Sequence, residues 1–431
     1  MKVLVIGSGG REHAIVRKLK ESPKVEKLYC APGNGGISRD AECVPVSAMD
    51  IDGILELVRE KGIDFVFVAP DDPLAAGMVD HLEAAGIPCF GPNAKAAEIE
   101  SSKVFAKGMM KQYGIPTAEY QVFQSAEKAL AYVRDKQKYP VVIKADGLAL
   151  GKGVIIARDE QEAETTLHSI LEDKRFGDSG NQVVVEEFLT GPEVSVLAFT
   201  DGKTLCPMVS SMDHKRAYDG DEGPNTGGMG TVSPNPYYTS DVAAECMERI
   251  FLPTIHAMNA EGRKFKGCLY FGLMLTPDGP KVIEYNSRFG DPETQVVLPR
   301  LETDFAEIVC AVAEERLSDL TMEWSPKPCA CVVMASGGYP GSYPKGIEIH
   351  GLDENGQVEG VTVYHAGTKL EKTSDEVWKF LTNGGRVLGI TAMGDTLQQA
   401  LDNAYAAVGK ISFEGAVYRK DIGKRALEAE K

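Results

Sequence analysis

The first hundred residues alternate two hydrophobic periods, and no other feature constrains the fold as strongly. KVLVI, KLYCA, DFVFVA and PCFG read as short strands, and REHAIVRKLK, IDGILELVREK and PLAAGMVDHLEAA between them carry apolar residues at helical spacing. Strands separated by helices pair in parallel with the helices as crossovers, so the pattern predicts an α/β domain with a parallel sheet. A ligand of such a sheet sits outside the carboxyl ends of its strands. The first of those ends is the turn Gly7-Ser8-Gly9-Gly10.

That turn invites a dinucleotide reading, which needs G-x-G-x-x-G/A and an acid at the end of the second strand. Here the third glycine position is Glu12, and the second strand ends in Ala31-Pro32-Gly33, with its last acid, Glu26, at the opposite end. Both halves of the fingerprint fail. What remains is a strand, a glycine turn and a helix amino terminus, enough for one phosphate. The second turn, Pro32-Gly33-Asn34-Gly35-Gly36, lies at the neighbouring strand end and could close over the same anion. Equally, these glycines could serve only to let strand and helix pack closely.

Beyond Glu100 the texture changes. SSKVFAKGMMKQY reads as a helix stopped by Gly114-Ile115-Pro116; EYQVF, PVVIKA, GVIIA and QVVVEEF read as strands, with helices at SAEKALAYVRD and DEQEAETTLHSILED. This is a small α+β unit. EVSVLAF, a long glycine- and proline-rich loop, a helix at DVAAECMERIFLPTIHAM and the paired strands CLYFGLML and KVIEYN follow. From about Pro326 the chain reads as strands with two late helices, TSDEVWKFLTN and TLQQALDNAYAAVGKI.

A chain of 431 residues exceeds one ordinary core and predicts roughly three domains at about 150 residues each. Its apolar runs, such as VLVI and FVFV, fall far short of the roughly 18 residues of a spanning helix, and the amino terminus lacks the pattern of a signal peptide, so a cytoplasmic chain with no membrane partner is expected. The formal charge of −17 argues against a nucleic-acid surface, which leaves any phosphate site local. The nine cysteines show no zinc spacing and read as reduced, buried thiols.

Three clusters carry chemistry. In PVVIKADGLALGKGVIIA, Lys144 lies in an apolar strand that leads through Gly147, Gly151, Lys152 and Gly153 into another strand, a flap suited to a nucleotide's phosphates or an ordinary hairpin. A lysine so placed calls for an anionic partner. VVVEEFLTGPEVSV sets Glu186 and Glu187 at a strand end and Glu193 a short loop later; such a linker can offer backbone groups to an adenine and a carboxylate to its ribose, or be simply solvated. In KVIEYNSRFGDPETQ, Glu284 and Asn286 share one strand face as hard oxygen ligands suited to magnesium, and Arg288 can stabilise charge on a transferring phosphoryl group.

In that order the lysine strand with its flap, the EEFL-GPE linker and the E-x-N-x-R strand resemble the ATP-grasp ligases. Together with GSGGREHA, PGNGG and DHKRAYDGDEGPNTGGMG they resemble the branch of that family that acts on a phosphoribosyl amine in purine biosynthesis. The resemblance runs through nearly the whole chain. It implies a multidomain fold of α/β and α+β parts: an acceptor-binding α/β domain over 1–101, an ATP-grasp core over 102–120 and 191–325, a mobile lid over 121–190 and a mixed C-terminal domain over 326–431. It implies ATP contacts from Lys103, Lys144, Gly151, Lys152, Gly153, Glu186, Phe188, Leu189 and Glu193, and Mg2+ or Mn2+ held by Glu284 and Asn286. Gly9, Gly10, Asn34, Gly35, Gly36 and Asp71 would meet the acceptor, with Asp71 standing where relatives carry a glutamate. Asp213, Lys215, Arg288 and Gly290 would surround glycine, and Arg288, Lys144 and Asp213 would carry catalysis.

The implied activity joins glycine to 5-phosphoribosylamine at the expense of ATP, through a glycyl phosphate. The resemblance also implies a monomer acting on small molecules, at most in transient contact with neighbouring purine enzymes. An ATP-grasp ligase acting on a later purine intermediate is the alternative within the family. Outside it stand an oxidoreductase, opposed by Glu12 and Ala31, and a silent nucleotide-binding regulator, opposed by the complete set of phosphate and metal residues.

Overall fold

A computed structural model describes residues 1–148, 153–372 and 376–430. The amino-terminal strands form one parallel sheet in the order Glu42–Cys43, Lys27–Pro32, Lys2–Gly7, Phe65–Val68, Cys89–Phe90. Alternation sorts its residues: Val3 and Val5 pack with Ile15, Val16 and Leu19 on one face, and Leu4 and Ile6 with Ile54, Leu57 and Leu82 on the other. Strand order reverses between Lys2–Gly7 and Phe65–Val68, so the crevice at their carboxyl ends is the sheet's topological switch point. The expected helix PLAAGMVDHLEAA is broken at Gly77, whose backbone is left-handed, into Asp71–Ala75 and Met78–Ala84. That break points the first helical turn, with Asp71 and Asp72, at the crevice.

Tyr120–Phe123, Val183–Glu187, Val141–Ala145 and Val154–Ala157 form an antiparallel sheet in that order, backed by helices Ala126–Lys136 and Glu160–Leu171. Val141, Ile143 and Ala145 face those helices with Val183 and Val185. By the same alternation Lys144 and Glu186 leave the opposite face.

The central sheet runs Leu205–Pro207, Glu193–Thr200, Gly267–Thr276, Gly279–Asn286, all antiparallel. It is welded to the amino-terminal sheet by Phe67, Phe90, Phe199, Phe289 and Phe305, with ring centroids 4.5–6.2 Å apart. The final sheet is Met212–Asp213, Gly230–Ser233, Cys329–Ala335, Arg386–Met393, Thr362–His365, covered by helix Leu397–Val408. Two of its strands come from the glycine-rich loop of the middle of the chain, so the sheet spans the stretch around residue 325 rather than beginning after it. The predicted helix TSDEVWKFLTN is instead a strand, Trp378–Thr382, paired with Thr368–Lys372; residues 373–375 lie outside the described part. From Lys379 onward the burial alternates, with Phe380 and Thr382 buried and Lys379 and Leu381 only partly so, a period of two that outweighs the local helical spacing. No helix among the described residues is long and apolar enough to cross a membrane.

Candidate active site

A cleft between the lid sheet and the central sheet is lined by Lys103, Lys107, Lys144, Glu186, Glu284, Asn286, Arg288, Glu100, Asp71 and Gly153. Lys144 Nζ lies 3.1 Å from Glu186 Oε2 and donates to the Ile283 carbonyl at 2.8 Å. That carbonyl is available because Ile283 bulges out of register: Gly272 pairs with Glu284 and Leu273 with Val282. The bulge also lets Val282 and Tyr285, three residues apart, share one core while Glu284 and Asn286 turn to the cleft. Gly272 is needed opposite them, since a Cβ there would lie 2.8 Å from Glu284 Cγ.

Lys107, absent from the sequence reading, is the third lysine, 3.2 Å from the same Glu186 oxygen and bonded to Thr117 Oγ1 at 2.7 Å. Lys103 and Lys107 stand four residues apart on helix Lys103–Tyr113, a spacing that could have revealed the pair. Burial pushes Lys107 down to about 8 against the pull of Glu186. Burial and the nearby Lys144 likewise lower Lys103, whose Nζ donates to the Gly147 carbonyl at 3.0 Å. Glu186 Oε1 and Arg288 Nε are buried without a partner among the described residues. Buried cations sharing one carboxylate, beside orphaned polar atoms, form a wall that a polyanionic nucleotide would complete.

At the far end Lys215 Nζ lies 3.2 Å from Glu284 Oε1 and 3.9 Å from Glu193 Oε2. Its charge holds the Glu284 carboxyl down at about 2, and Glu284 in turn raises Lys215. Glu284 is therefore ionised, as a metal ligand must be. No cluster of three His, Cys, Asp or Glu capable of holding a metal exists among the described residues. A carboxylate and an amide from Glu284 and Asn286 fit magnesium, which completes its shell with phosphates and water.

Arg288 Nη2 pairs with Glu100 Oε1 at 3.0 Å, while Glu100 Oε2 accepts from Ser287 N at 2.7 Å and Ser287 Oγ at 2.8 Å. No spacing in the sequence announced Glu100. Burial raises its carboxyl, partly opposed by Arg288. Burial works against the Arg288 guanidinium, but Glu100 and Asp71 more than offset it and raise its pKa. Asp71 titrates lower than usual because Arg288 and Arg11 together outweigh its burial. Burial, reinforced by Glu293, pushes Asp213 well up. Glu293, also missed, accepts from Tyr270 Oη at 3.1 Å and lies against Gly290.

A second pocket opens at the switch point, lined by Gly7, Ser8, Gly9, Arg11, Pro70, Asp72, Met49 and Asp291. Asp71 faces the cleft and the adjacent Asp72 faces this pocket, so one helical turn separates the two. Glu12, at the failed glycine position, caps its own helix by accepting from Gly9 N at 2.6 Å. Gly10 packs against Gln295. Asn34 donates to the Ser8 and His365 carbonyls and accepts from Gly36 N and Ile37 N, and Gly35 and Gly36 lie against Lys369 and His365. The second glycine turn thus meets the C-terminal domain. Phe188, exposed, and the half-buried Leu189 lie on the linker and are not part of the cleft wall. Gly151 and Lys152 fall outside the described residues.

Family models match the whole organisation: the phosphoribosylglycinamide synthetase N domain over residues 1–100, its ATP-grasp (A) domain over 101–294 and its C domain over 329–425. The chain is 51% identical to the phosphoribosylamine–glycine ligase of Caldanaerobacter subterraneus subsp. tengcongensis, over 98% of this chain and 99% of the relative. It is 49% identical to that of Escherichia coli strain K12 over the full length of both. The crystal structure of phosphoribosylamine–glycine ligase from Thermotoga maritima superposes with a TM-score of 0.85 at 35% identity, covering 98% of this chain and 100% of that one.

Proposed function

The chain belongs to the phosphoribosylglycinamide synthetase family, and on that premise we propose how its two adjoining pockets perform the family's reaction. The enzyme is an ATP-grasp ligase of purine biosynthesis that joins glycine to 5-phosphoribosylamine, giving glycinamide ribonucleotide, ADP and phosphate. The observation that carries the residue assignment is the juxtaposition of Asp71 and Asp72, which puts the switch-point pocket one helical turn from Arg288 and Glu284.

A carboxylate is a poor acyl donor because oxide would have to leave. A glycine carboxylate oxygen therefore attacks the γ-phosphorus of ATP, ADP departs, and the glycyl phosphate so formed has phosphate as its leaving group. Lys103 and Lys144 hold the ATP phosphates, with Gly153 and, beyond the described residues, Gly151 and Lys152 as the flap. Glu186, on the cleft wall, takes the adenine and Glu193 the ribose, and Phe188 and Leu189 meet the adenine only from the linker outside that wall. Arg288 neutralises charge on the transferring phosphoryl group. Glu284 and Asn286 would hold Mg2+ or Mn2+, which would supply Lewis-acid neutralisation of phosphate charge. Asp213, Lys215 and Gly290 hold glycine.

The acceptor's phosphoribosyl part occupies the switch-point pocket near Gly9 and Arg11, with Asp72 toward its ribose and Gly10 and the Asn34–Gly36 turn supporting the rim; Asp71, expected at the acceptor, faces the cleft one helical turn away. The amine nitrogen attacks the acyl carbon, and phosphate leaves with the C–O electron pair. No side-chain nucleophile is required. The cysteines agree with this: Cys30, Cys89, Cys268, Cys329 and Cys331 are buried, and burial raises every one of these thiols. The substrates are small molecules, and the proposal is completed by a monomer acting in the cytosol.

Coupled assays of ADP release with glycine and phosphoribosylamine omitted in turn test the reading. Strict dependence on glycine is expected. Equal ADP formation without either substrate would overturn it.

A further inference from the structure

We propose that Arg386, in the C-terminal sheet, is a positioning residue that aligns the acceptor amine with the glycyl phosphate. The inference rests on the two-pocket reading above. Arg386 Nη1 reaches the Gly227 carbonyl at 2.9 Å, the Asp291 carbonyl at 2.8 Å and the Gly228 carbonyl at 3.4 Å, and lies 3.5 Å from Asp291 Oδ1. These partners fall on two segments, the Gly227–Gly228 loop and Asp291.

Gly228 leans on the glycine side, where a Cβ on it would stand 2.7 Å from Asp213 Oδ1. Asp291 lines the acceptor pocket, where its Oδ2 accepts from Arg11 N at 3.3 Å and its Oδ1 from Gln295 Nε2 at 2.8 Å. One guanidinium therefore ties the loop over glycine to the wall beside the acceptor, in addition to the packing of Gly228 on Pro292, where a Cβ would run into Pro292 Cδ. Its hydrogen bonds and ion pair reach none of the described residues assigned to ATP. A second tie from the same domain is Tyr339 Oη, which accepts from Gly227 N at 3.1 Å. The far end of the loop is held separately by Arg419, through Asp221 and the Arg216 carbonyl, with no link to the acceptor pocket.

The consequence is chemical. When the amine is misplaced, glycyl phosphate still forms, and water adds to the acyl carbon instead. The acyl C–O bond breaks with its electron pair leaving on phosphate, a proton passes to solvent and glycine is regenerated. Each such turn converts ATP and water to ADP and phosphate with no product.

The test compares the full-length wild type with Arg386→Met and Arg386→Lys, at saturating ATP, Mg2+, glycine and freshly generated phosphoribosylamine, measuring ADP and glycinamide ribonucleotide in the same samples. Wild type should yield equal amounts. Displacement of the amine by about an ångström should slow transfer about 10- to 100-fold, so Arg386→Met should release a large excess of ADP that still depends on glycine. Arg386→Lys, whose shorter side chain ends before the position of Nη1, should fall between. Parallel loss of ADP and product in folded variants would overturn the proposal, because a purely structural brace has no reason to change their ratio. Should neither arginine variant fold, Tyr339→Phe carries the same test: a smaller excess of ADP supports the proposal and an unchanged ratio overturns it. Absence of glycine-dependent ADP release in the wild type would instead defeat the underlying reading.

Discussion

The two pockets are built by different means. The cleft proposed for the nucleotide is made of side-chain charge: Lys103, Lys107, Lys144 and Arg288 face Glu100, Glu186 and Glu284, with atoms of Glu186 and Arg288 left unpaired among the described residues. The switch-point pocket takes its shape from backbone, a glycine turn and two strand ends, and its charged lining is Arg11, Glu12, Asp72 and Asp291, with Arg11 already paired to Glu12 at 2.7 Å. The difference teaches where each can fail. A charge-built site loses its chemistry when one side chain is removed and keeps its shape, whereas a backbone-built site loses its shape first.

Arg288→Ala is the largest test. Turnover should drop about 100- to 1000-fold while ATP binding, measured by calorimetry, is retained. Near-normal turnover would remove the charge-built half of the comparison. Gly7→Ala probes the other half. Gly7 has φ +127° and a Cβ there would sit 2.5 Å from Glu12 Cγ, so the variant should unseat Glu12 from Gly9 N. It should cost about 1–3 kcal/mol by thermal or urea unfolding and raise the acceptor KM while leaving that for ATP close to wild type. An ATP KM that moves with it would mean the pockets are not separate constructions.

The smallest effect is pH dependence of the backbone-built side. His13 and His365 are buried where the second glycine turn meets the C-terminal domain, and His13 Nδ1 accepts from His365 N at 2.8 Å. Burial pushes His365 down to about 3 and lowers His13. The unfolded chain takes up these protons below the ordinary value of 6.5 and the folded chain does not. Their contribution to stability is thus complete above 6.5 and declines as pH falls toward about 3. In His365→Gln the melting temperature should fall less steeply with acid than in wild type, by a few degrees. Identical slopes would show that the joint does not titrate. No histidine is among the described residues that line the cleft, so this dependence should leave ATP binding untouched.

Much of this was legible in the chain. The alternation before Glu100, the failed fingerprint at Glu12 and the E-x-N-x-R strand all depend on spacing within one segment, and the structure carries them as spaced. What escaped depends on partners distant in sequence. Glu100 meets Arg288, Lys107 meets Glu186 and Asp213 ends a strand in the C-terminal sheet. Trp378–Thr382 shows the same limit in reverse, since its pairing with Thr368–Lys372 overrode a local helical pattern.

By itself the sequence determined the family and most of the local elements, because strand and helix periods and short motifs are properties of neighbouring residues. Only the tertiary structure decided which charges share a cleft, that a bulge at Ile283 aims Glu284 and frees a carbonyl for Lys144, and that the C-terminal domain holds the loop over Asp213. Those outcomes follow from packing and register. A buried cation settles beside whichever carboxylate and carbonyl the assembled sheets bring within about 3 Å, and no local pattern encodes that distance.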